Sequence, residues 1–196
     1  LLNITLPLAA ANELKANGFV RPRRFDNVAV LFCDVMHFTE YCDQLLPEQV
    51  INHVTGLIEC FEEITLGHQM EKIKTIGDEF MASAGLLEPN PDPVGAAVEC
   101  GLAMSRAAPR LAAGWQVRVG IDYGPVVAGI VGKQKYQFDL WGDTVNTAAR
   151  MTRYGEPGVV VMTAATSSVI QGRFKLNRLG AFEVKGKGMV EIVTCC

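Results

Sequence analysis

EKIKTIGDEFMASA, residues Glu71–Ala84, decides the fold. Glu71–Ile76 and Phe80–Ala84 read as two strands that meet at Gly77-Asp78, a hairpin-type turn. Upstream, Pro47–Leu66 carries apolar residues at Val50, Val54, Leu57, Ile58, Phe61 and Ile64, a helical period with proline suited to the first turn. Further upstream, VAVLFC, Val28–Cys33, is a continuous apolar run and predicts a buried central strand. Downstream, EPNPDP, Glu88–Pro93, is a surface loop, and Val94–Ala107 reads as a second long helix. Val117–Tyr123 and Val126–Val131 read as strands separated at Gly124. The order β, α, β-β, α, β places a hairpin where a doubly wound sheet would need a crossover. It therefore predicts an α+β domain with a ferredoxin-like βαββαβ core.

The rest of the chain adds a C-terminal βαβ extension. It comprises a strand at Tyr136–Trp141, a helix at Thr144–Thr152, a strand at Val159–Met162 and a helix near Ala164–Ile170. Strands near Phe174–Leu179 and Val190–Val193 complete it. Residues 1–24 form a lead-in: Pro7, Ala9–Ala11 and Leu14 suggest a short helix, which the basic stretch Arg21–Arg24 breaks. The domain proper is expected to be 25–196.

The chain has 196 residues, 49% of them hydrophobic, enough for one domain with a sizeable core. It contains no apolar run of about 18 residues that could span a bilayer, and no signal peptide is visible. A net charge of -3 argues against a nucleic-acid groove or a polybasic membrane surface. The 6 cysteines form no C-x-x-C pair and no zinc spacing, so they read as small core residues of a reducing compartment. A start at Leu1 without methionine suggests a piece of a longer protein.

Three constellations carry chemistry. Asp34 ends the first strand and Asp78 sits in the hairpin turn, and on a ferredoxin-like sheet these lie side by side. Paired carboxylates offer hard oxygen ligands for Mg²⁺ or Mn²⁺, two ions of which could activate a hydroxyl and brace a triphosphate. The plainer reading is a cap and a turn residue. Just beyond Asp34, Met36–Thr39 opens a helix whose first amides could meet phosphate.

Lys74 and Asp139 form the second constellation. Strand alternation places Lys72 and Lys74 on one face and Ile73 on the other. Lysine offers donors only and an ionised aspartate acceptors only. Adenine presents an acceptor at N1 and a donor amine at N6, which the pair complements. Guanine reverses both, and each unpaired buried group costs about 1–3 kcal/mol. Spacing alone is equally consistent with a strand-face ion pair.

The third constellation is Asn146, Arg150 and the KGKG segment with Lys185 and Lys187. Asn146 and Arg150 are one helical turn apart, so an amide and a guanidinium share a face. An amide can hold a sugar, and an arginine can meet charge developing on phosphorus. A solvated helix face and a basic turn are the bland alternatives. No P-loop, no G-x-G-x-x-G opening a helix and no G-x-S-x-G occurs.

Together VAVLFCDVMHFT, EKIKTIGDEFMASAGL, VRVGIDYGPVVAGIVG, YQFDLWGDTVNTAARM and VKGKG resemble, in order, the motifs of the class III nucleotidyl cyclase catalytic domain. The overall likeness is to fungal rhodopsin-linked guanylyl cyclases. The resemblance implies that Asp34, Asp78 and the Val35 carbonyl hold two Mg²⁺ or Mn²⁺ ions. It implies that Phe38 and Thr39 offer backbone amides to phosphate, that Lys74 and Asp139 read the purine and that Asn146 orients the ribose. Arg150 would stabilise the transition state, Lys185 would bind terminal phosphates, and Arg118 is a further phosphate candidate. It also implies a head-to-tail homodimer whose sites each draw residues from both subunits, an upstream sensor or membrane module, and a cytoplasmic location.

His37 departs from the family's usual glycine. Lys74 and Asp139 depart from the glutamate and cysteine of the guanylyl members and are the adenylyl pair. The expected reaction is ATP to 3′,5′-cyclic AMP. The alternatives are GTP to cyclic GMP and a catalytically silent regulatory cyclase domain. A diguanylate cyclase or polymerase-like palm domain shares the topology, but no GGDEF-type turn is present.

Overall fold

The computed structural model describes residues 8–132, 135–170 and 172–196. Pro7 of the expected lead-in helix lies outside them. In chain order the elements are α1 (Leu8–Asn17), β1 (Arg23–Val35), α2 (Phe38–Asp43), α3 (Pro47–Gly67), β2 (Glu71–Ile76) and β3 (Glu79–Ala84). Then come α4 (Pro93–Ala107), β4 (Val117–Val131), β5 (Gln137–Trp141) and α5 (Asp143–Met151). The chain closes with β6 (Val160–Thr163), α6 (Ala164–Ser167), β7 (Leu176–Val184) and β8 (Gly188–Cys195). One sheet runs in the order β2-β3-β1-β4-β6-β8-β7, with β5 folded back on β4. Its first four strands, β2-β3-β1-β4, have the ferredoxin-like order and are antiparallel throughout. β6 joins β4 in parallel after the α5 crossover, and a β7–β8 hairpin closes the far edge.

The apolar run of β1 is buried on both faces, as a central strand requires. Ala29, Leu31, Cys33 and Val35 join one core with Leu57 and Phe61 of α3 and with Val98 and Met104 of α4. Val28, Val30 and Phe32 join a second core with Phe138 and Leu140 of β5 and Ala148 of α5. The lead-in helix α1 belongs to this second face, burying Ala10, Ala11 and Leu14. The first long helix begins at its proline as expected, and the second begins one residue earlier than expected, at Pro93, with Asp92 as its cap. Pro47 opens α3 while the Leu46 amide donates to Gln49 Oε1 at 3.2 Å, and Asp92 caps α4 by accepting from the Gly95 amide at 3.2 Å. Cys33, Cys100 and Cys195 are buried, and all six cysteines are free.

Two local expectations are corrected. Gly124 does not separate two strands: β4 runs unbroken from Val117 to Val131, paired with β1 on both sides of the glycine. The irregularity falls instead on β1, between Phe25 and Val28. Lys72 and Lys74 do not share a face. The register of β2 on β3 slips between them, Lys72 opposing Ala82 and Lys74 opposing Met81, so Ile73 is the extra residue of a bulge. Lys72 therefore reaches Glu62 of α3 on one face, while Ile73 packs on the opposite core and Lys74 is aimed at β5.

Candidate active site

The hairpin turn at Gly77, which takes φ 64°, brings Asp78 to the end of the sheet where β1 ends. Cross-strand register then sets a row of charges: Glu79 on β3 opposes Asp34 on β1, which opposes Arg118 on β4. Arg118 Nη2 donates to Asp34 Oδ2 at 2.5 Å. A cavity of about 400 Å³ is lined by Asp34, Asp78, Glu79 and Arg118 on one side and by Asn146 and Arg150 of α5 on the other. The two expected aspartates and the two expected α5 residues thus share one cavity within a single chain.

The position of α5 depends on Gly120. A Cβ there would lie 2.5 Å from both the Ala148 carbonyl oxygen and the Thr152 amide nitrogen, so only glycine lets the helix end sit this close to β4. α5 is also fastened to the β7–β8 turn. Arg150 Nη1 donates to the Lys185 carbonyl at 2.5 Å, and Lys187 Nζ pairs with Asp143 Oδ2 at 2.7 Å. The KGKG segment is accordingly the turn itself, with Lys185 exposed and its backbone carbonyl on the arginine.

The cavity sets three carboxylates, Asp34, Asp78 and Glu79, against three arginines, Arg118, Arg150 and Arg153. Burial, and then the Asp34 charge, raise the Asp78 carboxyl above its usual range. Burial, with Asp34 and Asp78 adding to it, pushes Glu79 up to about 7. Asp34 and Asp78 bring two hard carboxylate donors to one cavity, so the donor set fits Mg²⁺ or Mn²⁺. Among the described residues no three His, Cys, Asp or Glu side chains are grouped to hold a metal ion. An ion at Asp34 and Asp78 would complete its shell with water, backbone or phosphate oxygens, the habit of Mg²⁺.

Lys74 and Asp139 meet, but outside that cavity. Lys74 Nζ lies 2.5 Å from Asp139 Oδ2, with the two side chains 22% and 11% exposed. The Asp139 Oδ1 atom accepts from the Leu140 amide at 2.8 Å, which fixes the carboxylate's plane. Phe38 and Thr39 open α2 and do not line the carboxylate cavity either, the Phe38 ring standing 6.1 Å from the Trp115 ring centroid. Val35 is buried at the end of β1, opposite Val117. His37, just before α2, takes φ 58°, the left-handed conformation in which glycine is most at ease.

Sequence reasoning missed Glu79 and the Asp34–Arg118 pair. Glu79 adjoins Asp78, and that adjacency was the available signal. The Arg118 pairing needed the β1–β4 register. A larger cavity of about 690 Å³ lies between α1 and the β4–β5 hairpin, and none of the expected site residues lines it.

The family model for the adenylate and guanylate cyclase catalytic domain matches residues 20–195. The chain is 36% identical over 194 residues to guanylate cyclase soluble subunit beta-2 of Rattus norvegicus, covering 96% of this chain and 28% of that protein. It is 33% identical over 195 residues to an adenylate cyclase of Mycobacterium bovis, covering 97% and 44%. The chain therefore spans less than half the length of these curated relatives. Among solved structures, the catalytic core of a rhodopsin-guanylyl cyclase with converted specificity, in complex with ATPαS, superposes with a TM-score of 0.85. The identity is 30%, over 90% of this chain and 98% of that one. The relatives include cyclases of both nucleotides, and the mixed α+β sheet is theirs. The chain belongs to the adenylate and guanylate cyclase catalytic domain family, the class III nucleotidyl cyclases.

Proposed function

We propose that this domain converts ATP to 3′,5′-cyclic AMP and pyrophosphate. The observation that carries the choice of ATP is the Lys74–Asp139 pair, a donor and an acceptor 2.5 Å apart and largely buried. Adenine's N1 accepts from Lys74 Nζ while its N6 amine donates to the Asp139 carboxylate. Guanine would turn an N–H toward the ammonium and a carbonyl toward the carboxylate, two mismatches that together disfavour it by about 2–6 kcal/mol. The curated relatives act on either nucleotide, so the base readers decide the assignment here.

In the proposed reaction the ribose 3′ hydroxyl gives its proton to solvent water and its oxygen bonds to the α-phosphorus. The bond to the β-phosphate bridge breaks, and pyrophosphate leaves. Asp34 and Asp78, with the Val35 carbonyl, would hold Mg²⁺ or Mn²⁺, which lowers the pKa of the hydroxyl and neutralises phosphate charge. Asn146 orients the ribose. Arg150 meets negative charge on the reacting phosphorus, and its bond to the Lys185 carbonyl aims it beforehand. Lys185 and Arg118 hold the outer phosphates, and the first amides of α2, at Phe38 and Thr39, add donors.

The base readers stand apart from the carboxylate cavity of their own chain. That separation supports a head-to-tail homodimer only for the base readers: in such a dimer each site would take its aspartates from one subunit and its base, ribose and transition-state residues from the other, whereas Asn146 and Arg150 also line the aspartate cavity of their own chain. The domain would serve cyclic-nucleotide signalling in the cytoplasm, driven by an upstream sensor or membrane module.

The double variant Lys74→Glu/Asp139→Cys tests the base readers. Steady-state kcat/KM for ATP and GTP should invert in favour of GTP, a swing on the order of 10²-fold or more. Persistent ATP preference in a folded double variant would show that other residues read the base.

A further inference from the structure

We infer that Arg118 is a latch on Asp34, released when a divalent cation takes that carboxylate, so that cation binding makes the arginine available to the triphosphate. The inference rests on the proposed roles of Asp34 and Arg118 and adds a coupling between them.

Asp34 sits between two cross-strand neighbours of opposite sign, Glu79 and Arg118. Its Oδ2 atom is engaged by Arg118 Nη2 at 2.5 Å, and both side chains line the carboxylate cavity, 19% and 31% exposed. The bond leaves Arg118 Nε buried and without a hydrogen-bond partner. A buried donor without an acceptor is an unstable arrangement, and a guanidinium carries a rigid fork of donors suited to two oxygens at once. A phosphate oxygen entering the cavity would supply the missing acceptor with charge to match.

Asp34 cannot give its full charge to a guanidinium and a divalent cation together. A cation at Asp34 thus loosens Arg118, and a triphosphate that engages Arg118 frees Asp34. By linkage the two effects have equal size. Without either ligand, the pair keeps Asp34 neutralised beside Asp78 and Glu79, which holds the empty site together. A purely structural tie between β1 and β4 would instead change stability when removed and leave ligand affinities alone.

The test uses binding, not turnover. Mn²⁺ affinity of the nucleotide-free domain is measured by electron paramagnetic resonance for wild type, Arg118→Gln, Arg118→Lys and Asp34→Asn, each checked for a cooperative melt. Arg118→Gln should bind Mn²⁺ more tightly than wild type, on the order of 5- to 10-fold, since Asp34 is free and a neighbouring positive charge is gone. Arg118→Lys, with a single flexible donor, should gain about 2-fold. Then ATP binding is measured in EDTA. Asp34→Asn should bind ATP several-fold more tightly than wild type, and Asp34→Asn/Arg118→Gln should lose that gain. A gain that survives in the double variant would reflect only the lost carboxylate repulsion and would overturn the latch. Unchanged Mn²⁺ affinity in both Arg118 variants would overturn it too. Should Asp34→Asn keep wild-type Mn²⁺ affinity, the assignment of Asp34 as a cation ligand fails, and the latch with it.

Discussion

Asp139 and Asp122 show how differently this molecule treats two buried carboxylates. Asp139 is met by a lysine and a backbone amide. Asp122, on β4, is met by hydroxyls: Thr163 Oγ1 at 3.1 Å and Thr166 Oγ1 at 2.6 Å both donate to its Oδ1. Burial raises the Asp122 carboxyl above its usual range, although these hydroxyls and the Lys187 charge pull the other way. The folded state therefore holds this proton more tightly than the unfolded chain. The stability Asp122 contributes is full below its ordinary value of 3.8 and fades as pH climbs through the raised value. Urea unfolding of wild type and Asp122→Asn should show the difference in stability, wild type minus variant, falling as pH rises from about 4 toward neutrality. A flat or rising difference would mean the aspartate is ionised in the fold at no cost. The chemical types at Asp34, Asp78, Lys74, Asp139, Asn146 and Arg150 were legible in the sequence because each motif names its own residues. The Arg118–Asp34 pair was not, since it arises from a strand register that joins residues 84 positions apart.

Among the elements, α5 illustrates how a helix is placed for chemistry. Its residues Thr144, Thr147, Ala148 and Met151 are buried, which turns Asn146 and Arg150 toward the cavity. Gly120 permits the close approach to β4 that sets its depth. Gly120→Ala should force the helix off the sheet, costing about 3 kcal/mol in chemical denaturation and lowering kcat more than it raises KM. A variant with wild-type stability and turnover would show that the helix end can shift without consequence. The hairpin at Gly77-Asp78 and the two long helices were legible because turn chemistry and apolar period are local properties. The bulge at Ile73 was not. Period-2 reasoning assumes a regular strand, whereas the slip is chosen by pairing with Met81 and Ala82, and it is what sends Lys74 rather than Lys72 to Asp139. Gly124 misled for a related reason, since a glycine inside a strand need not end it when the partner strand absorbs the irregularity.

For the whole molecule, the central question is how many chains make a site. One chain carries both the aspartates and the residues proposed to meet the transition state, so two differently disabled chains should rescue each other if sites are shared head to tail. Asp34→Asn and Arg150→Ala should each be inactive alone. Mixed in equal amounts they should recover roughly a quarter of wild-type activity, because half the dimers are mixed and each of those keeps one intact site. No recovery, with dimers present by sedimentation, would place all the chemistry within one chain, where the cavity already brings Asp34 and Arg150 together. The most direct test of the account is product formation by the purified domain with ATP and GTP in parallel, Mn²⁺ present, across protein concentration. The expected product is cyclic AMP, formed at a rate that rises more steeply than linearly with protein. Cyclic GMP as the main product would contradict the reading of Lys74 and Asp139, and no product from either nucleotide would contradict the catalytic assignment itself.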